Sequence, residues 1–323
     1  MTLLLSNEDV RAAVTMLDAI EAMEAAFLEQ GSGGVNQPPR TNIKAGKGWL
    51  RVGPVVMEQS GWMGFKAMNL AAGVGVRYQV HLYAIEDGDL KAIMDAQYLT
   101  TLRTGATSAV ATRRLARQHP TTVAVLGSGV EARAQLEAMH AIGLVADARV
   151  YSPTKANRED FAAHYSESLG IEVRAVASAR EAVAGCGLVV AGVKSKETVL
   201  HGAWLESGVH VNSVGTARRE QREIDPATFE RAEIIVVDTR DGVFGEAGDA
   251  VAAKDVVSPD QVHELAEICA NGGPVRGNEE QITLFKSVGT GIQDIALAAM
   301  VYERATDKGL GSQFPDFPFI KRS

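Results

Sequence analysis

Two groups of residues in this 323-residue chain have types and spacings that could do chemistry. The first is Gly127-Ser128-Gly129-Val130-Glu131-Ala132. It follows a short apolar, β-branched run, Val123 to Leu126, and precedes a helical pattern reaching about Ile142. In that strand–turn–helix context, G-x-G-x-x-A is a dinucleotide fingerprint. Gly127 permits the tight turn, Gly129 lets the backbone approach a pyrophosphate, and Ala132 allows close helix–strand packing. Ser128, Val130 and Glu131 complete the cradle, and the helix N-terminus offers free N–H groups to phosphates. The competing interpretation is a glycine turn in an α/β domain that binds nothing.

Cofactor choice is read about 20 residues further on, at the end of the second strand. There the chain runs Tyr151-Ser152-Pro153-Thr154-Lys155, without an acid. Ser152 and Thr154 suit either a ribose hydroxyl or a 2′-phosphate, and Lys155 suits a phosphate or simply solvent. The expected cofactor is NAD(P)H, with NAD and NADP both open.

The second group is cationic: Arg40 in Pro38-Pro39-Arg40, Arg51 in Trp49-Leu50-Arg51, Lys66 in Gly64-Phe65-Lys66, and Arg103 in Leu102-Arg103-Thr104-Gly105. Arg51 and Lys66 sit in strand-like apolar surroundings, where an unpaired charge is costly. An anionic substrate is one candidate partner and a structural ion pair is another. Arg matches a carboxylate bidentately, whereas Lys is a point charge whose pKa falls readily on desolvation. Spacing alone does not bring the four together.

These residues must be held by regular elements. Ser6 with Asp9 and Asp18 with Glu21 read as capping boxes for two helices over about residues 7–30. A Gly/Pro-rich loop, Gly31 to Pro39, leads to Arg40. Strands are expected at Trp49–Val56, Trp62–Asn69, Tyr78–Ile85 and Leu90–Asp95, with Glu86-Asp87-Gly88-Asp89 turning the last hairpin. A helix is expected over Thr100–Arg117. After Pro120 the pattern becomes alternating short apolar runs and helices, at Val123–Leu126, Ala148–Tyr151, Val173–Val176, Leu188–Val193, Val209–Val214 and Ile234–Val237. That alternation signals a parallel, doubly wound sheet. A closing helix is expected over 289–307.

Composition narrows the classes. Lys plus Arg total 32 and Asp plus Glu 40, for a net charge of −8. A chain this acidic lacks the basic footprint of a nucleic-acid binder and the basic clusters that hold a protein on anionic lipid. The two cysteines, Cys186 and Cys269, form neither a disulfide framework nor a zinc cluster. No metal site is expected, and no apolar run approaches the length of a membrane span. A cytoplasmic setting is expected.

On the motifs above, together with Met94-Asp95-Ala96, Asn212-Ser213-Val214-Gly215 and Gly289-Thr290-Gly291-Ile292-Gln293-Asp294, the chain resembles the ornithine cyclodeaminase/mu-crystallin family over essentially its whole length. It is most similar to the alanine dehydrogenase-like, imino acid reductase branch. The resemblance implies a Rossmann domain at 119–298. Residues 1–118 with 299–323 would form a discontinuous α+β domain for substrate binding and dimerisation. It implies a homodimer, with Lys66 and Arg103 on the substrate carboxylate and Arg40 and Arg51 nearby. Thr104 would help hold the diphosphate, and Val214, Ser287 and Gly289 would border the cofactor. One departure stands out. Family members that cyclise or deaminate carry an Asp two residues past the glycine of the Asn-x-x-Gly run, where this chain has Ala217, followed by Arg218 and Arg219.

The expected activity is NAD(P)H-dependent reduction of a 2-imino acid to an L-amino acid, with Lys66 as proton donor and His81 and Asp294 as weaker candidates. A methyl group at position 217 holds no ammonium, and the Arg side chains suit a dicarboxylate. Iminosuccinate, giving L-aspartate, therefore leads, followed by pyruvate imine, giving L-alanine. The alternatives are a Δ1-pyrroline-2-carboxylate or ketimine reductase, a redox-neutral cyclodeaminase-like lyase, and a non-catalytic binding protein.

Overall fold

The computed structural model describes residues 1–272 and 275–315. The chain forms two compact units, one of residues 1–103 with 290–323 and the other of residues 104–289. The breaks fall at Arg103/Thr104 and Gly289/Thr290 rather than at 118/119 and 298/299. Side-chain bonds explain the difference. The helix Gln97–Leu115 crosses the first break. Its later part is tied into the second unit, where Asn212 Nδ2 donates to Thr112 Oγ1 at 2.8 Å and Gln135 Nε2 to the Thr104 carbonyl at 3.2 Å. The helix Gly291–Lys308 lies wholly in the first unit, because its opening turn bonds Lys66 and Arg103 there.

The second unit is built on an eight-stranded parallel sheet. Across the sheet the strands run Glu172–Ala175, Val145–Tyr151, Thr121–Leu126, Leu188–Ala191, His210–Ser213, Thr283–Lys286, Ile234–Val237 and His263–Glu264. Its central strands are buried throughout their apolar stretches, as expected when helices cover both faces. From Thr121–Leu126 the chain first winds outward to one edge, then returns to Leu188–Ala191 and winds to the other. The order therefore reverses between these two strands, which is where doubly wound sheets bind ligands. Two strands escape the sequence pattern. Thr283–Lys286 carries a lysine, and His263–Glu264 is only two residues long.

The first unit holds a mixed sheet. Thr2–Leu5 runs parallel to Leu90–Asp95, and the hairpin strands Gly48–Met57, Trp62–Ala71, Gly75–Ala84 and Leu90–Asp95 pair antiparallel. The strand Thr41–Ala45 adds to Gly48–Met57. One sheet face packs on the helices Asn7–Ala13 and Gly291–Lys308, burying Val55, Met57, Val80, Leu82, Ala92 and Met94, and the helix Met16–Gly31 packs on Gly291–Lys308. The Ser6–Asp9 capping box forms as expected. The second helix is instead capped by Thr15 with Asp18, one turn earlier than Asp18 with Glu21. Thr15 supplies a hydroxyl acceptor and lets Asp18 bond back to the Thr15 backbone. In the closing helix, Asp294 is buried along with Ile292, Ile295 and Val301.

Candidate active site

A cavity of about 1000 Å³ opens in the second unit at the switch point. Its walls are the ends of three strands and the helices that follow: Gly127–Glu131, Tyr151–Thr154 with Asn157, and Gly192–Ser195. Gly127 has φ +110°, and a Cβ there would lie 2.9 Å from Val193 Cγ1 and 3.0 Å from the Gly192 carbonyl. The turn thus demands glycine both by conformation and by space. The helix Val130–Ala141 approaches so closely that a Cβ on Gly192 would stand 2.9 Å from the Ala132 amide, the close packing that a small residue at position 132 allows. Ser128 Oγ donates to Ser152 Oγ at 3.0 Å, joining the glycine turn to the end of the second strand. Shape, glycine cradle and helix N-terminus together fit a dinucleotide.

Of the residues read from sequence as cofactor contacts, Gly127, Ser128, Gly129, Val130, Glu131 and Ser152 line this cavity. Lys155 is not part of the lining; it is exposed, with its ammonium 3.6 Å from Glu159. Thr104, Val214, Ser287 and Gly289 also lie outside the lining. Ser287 and Gly289 belong to a loop organised by a residue that sequence reasoning missed. Asp238 Oδ2 accepts from Ser287 Oγ at 2.6 Å and from the backbone N–H groups of Val288 and Gly289 at 3.0 and 2.6 Å.

Behind the strand ends lies a buried charge cluster, also unforeseen. Lys286 Nζ is 2.7 Å from Asp249 Oδ2 and 3.4 Å from Glu223 Oε1, all three side chains being fully buried. The ammonium also donates to the hydroxyls of Ser213 and Thr216, each at 2.8 Å. Glu223 accepts from the backbone N–H groups of Val193 and Gly215 at 3.0 and 2.9 Å, so it fastens two strand ends at once. Burial pushes the Glu223 carboxyl up, while the Lys286 ammonium pulls it down. Ala217 packs against the apolar core. Arg218 and Arg219 are exposed, and Arg219 Nε donates to the Gly245 carbonyl at 2.8 Å.

In the first unit the sequence-selected cations come together. The register sets Thr41 opposite Val52 and Gly53 opposite Lys66. Arg40, one residue before Thr41, therefore lies opposite Gly53, in one cross-strand row with Lys66, and no side chain stands between them. The next row on that face holds Asn42, Arg51, Met68 and Tyr78. Arg51 Nε bonds Asn42 Oδ1, and the guanidinium lies 5.7 Å from the Trp49 ring centroid.

Lys66 and Arg103 are both buried and share one carboxylate oxygen. Asp294 Oδ1 accepts from Lys66 Nζ at 2.7 Å and from Arg103 Nε at 3.1 Å. Arg103 Nη1 also donates to Gln293 Oε1 at 2.6 Å. Burial lowers the Lys66 pKa to about 8, against the attraction of Asp294 and with help from the positive charges of Arg103 and Arg40. Removal from water, rather than the neighbouring cations alone, is the leading cause. His81 is placed elsewhere. It stacks on Phe65 at 4.7 Å and pairs with it across the strands, on the face opposite Lys66, so it is no proton donor for this cluster.

Residues 1–309 match the model of the ornithine cyclodeaminase/mu-crystallin family. Among solved structures, the chain resembles the Δ1-pyrroline-2-carboxylate reductase of Thermococcus litoralis in complex with NADH and L-proline. Identity there is 35%, with TM-score 0.91 and coverage of 97% of this chain and 100% of the other. It resembles an archaeal alanine dehydrogenase dimer with bound NAD at 32% identity and TM-score 0.90, covering 97% and 99%. It resembles the iminosuccinate reductase of Paracoccus denitrificans with NAD+ at 25% identity and TM-score 0.87, covering 96% and 98%. With this match spanning nearly the whole chain, and with the glycine cradle and the Lys66–Arg103 cluster both formed, the chain belongs to the ornithine cyclodeaminase/mu-crystallin family.

Proposed function

We propose that this protein reduces a 2-imino acid to an L-amino acid with NAD(P)H. The carrying observation is the pair of buried cations, Lys66 and Arg103, on one oxygen of Asp294. One carboxylate compensates only one of the two charges, so the pair retains attraction for a substrate carboxylate. Arg103 offers a fork matched to a carboxylate. Lys66, with its pKa near neutrality, holds a proton it can release to an imine nitrogen. Asp294 fixes the ammonium in place.

A bound reduced nicotinamide supplies the hydride. Gly127–Glu131 and Ser152 hold the dinucleotide, and Thr104, Val214, Ser287 and Gly289 are proposed to border it.

The leading substrate is iminosuccinate, which yields L-aspartate. Arg40 and Arg51 form a second cationic pair on the Lys66 face of the sheet, in adjoining cross-strand rows, a placement that suits a second carboxylate. A second candidate is Δ1-pyrroline-2-carboxylate, favoured by the 35% identity to the Thermococcus litoralis enzyme. The test is turnover of NADH and NADPH with oxaloacetate plus ammonia, pyruvate plus ammonia, and Δ1-pyrroline-2-carboxylate. The reading predicts the highest kcat/KM for the dicarboxylic imine and an Arg40→Ala variant that raises its KM most. Equal use of the monocarboxylates removes the substrate assignment. No dinucleotide oxidation with any imine removes the reaction class.

The first unit is proposed to bind substrate and to form a homodimer. Opposite Lys66 its sheet shows a half-buried apolar face that includes Pro54, Phe65, Tyr83 and Ile93, and the archaeal alanine dehydrogenase is described as a dimer. Light scattering is expected to return about twice the 34.3 kDa chain mass.

A further inference from the structure

The end of the cavity nearest the second strand has a charge pattern that the proposed function leaves unused. In doubly wound folds, the residue ending that strand reads the adenosine ribose, an acid bonding the 2′-hydroxyl and repelling a 2′-phosphate. Here Val145–Tyr151 is followed by Ser152, Pro153 and Thr154. The acids in the cavity wall are Glu131, in the first turn after the glycine cradle, and Glu197, beyond the strand Leu188–Ala191. Neither belongs to the end of the second strand.

Two arginines flank that end instead, one bonded to the loop and one in the cavity wall. Arg158 Nη1 donates to the Ser152 carbonyl at 2.8 Å and approaches the Pro153 carbonyl at 3.4 Å, bringing its charge to the loop itself. The neighbouring parallel strand, Glu172–Ala175, pairs with Asp147–Val150, so the segment after it emerges beside Ser152. That segment places Arg180 in the cavity wall, next to Ser178 and Ala179. Arg180 forms no ion pair among the described residues. Lys155, by contrast, is matched by Glu159. The Ser152 hydroxyl is already engaged, receiving from Ser128 Oγ at 3.0 Å and reaching the Thr154 carbonyl at 3.4 Å. A bare 2′-hydroxyl thus finds no carboxylate acceptor, whereas a phosphate finds planar, always-charged donors suited to its oxygens.

We infer that this end of the cavity is a 2′-phosphate subsite, with Arg180 as its main contact, and that the chain binds NADPH in preference to NADH. The inference rests on reading the cavity as a dinucleotide site. It can be measured by binding alone, because Trp204 lines the same cavity and reports occupancy by its fluorescence. Titration of the full-length protein with each reduced dinucleotide is expected to give a Kd for NADPH at least tenfold lower than for NADH, with the gap narrowing as salt rises. 2′-AMP should displace bound NADPH at lower concentration than 5′-AMP. Arg180→Ala should bring NADPH affinity to within about threefold of that for NADH. Equal or tighter binding of NADH overturns the subsite and leaves the reductase function standing. Unchanged NADPH affinity in Arg180→Ala overturns the role of Arg180. Binding of neither dinucleotide overturns the dinucleotide site itself.

Discussion

The Lys66 ammonium lies 2.7 Å from the carboxylate of Asp294, 228 residues away along the chain, and both side chains are almost fully buried. Asp294 is the group that opposes the burial-driven fall in the Lys66 pKa. The carboxylate beside the proton-holding group is supplied by the closing helix, Gly291–Lys308.

Asp294→Asn should therefore weaken the hold of Lys66 on its proton. With wild-type protein, kcat/KM is expected to fall as pH rises through about 8, where the ammonium titrates. The variant should move that alkaline limb lower by about one pH unit or more. A limb in the same place in both proteins would separate Asp294 from the titrating group.

The same lysine affects stability. Its folded pKa of about 8 lies below the ordinary 10.5, so the unfolded chain binds more protons between those values. Stability contributed by this group should rise with pH across about 8 to 10.5, the full cost of burying the charge being present below 8. Lys66→Met removes the titration, and urea melts of both proteins should show that wild type alone gains this increment.

Gly127→Val should abolish dinucleotide binding. The position has φ +110°, and even a first side-chain carbon would lie 2.9 Å from Val193 Cγ1 and 3.0 Å from the Gly192 carbonyl oxygen, well inside van der Waals contact. Isothermal titration should show no binding of NADH or NADPH, while the far-ultraviolet circular dichroism of the folded chain persists.

Lys286→Met should destabilise the second unit. It leaves Glu223 and Asp249 buried without their cation, and breaking such a cluster from one side typically costs about 3–5 kcal/mol. The loss should shrink as pH falls, because burial pushes the Glu223 carboxyl up and its protonation relieves the unpaired charge. Chemical denaturation at pH 5 and pH 8 checks both parts.

Much of this site is legible in the residues. Gly127-Ser128-Gly129 is informative because a strand precedes it and a helix follows, and the cavity forms there. Arg51 and Lys66 could be chosen by type and apolar context and Arg40 and Arg103 by type, but their convergence depends on strand register and helix packing, which a period-two pattern leaves open. Asp294 could be singled out only as a weaker proton-donor candidate, and its role as the partner of Lys66 and Arg103 stayed hidden for a different reason. On a helix it looks like a first-turn acid, and only tertiary packing turns it toward Lys66. Lys286 and Glu223 illustrate the same limit, since charged residues at the ends of short runs read as surface until the partners that neutralise them are placed. His81 shows the reverse error, because strand alternation decides its face and one residue of offset separates it from Val80, the cross-strand partner of Lys66.

The most direct measurement is kcat for Lys66→Ala with saturating imine and reduced dinucleotide, alongside the dinucleotide Kd. Loss of a general acid predicts a fall in kcat of about 100-fold or more with dinucleotide affinity retained. A near-normal kcat would contradict the assignment of Lys66 as the proton donor.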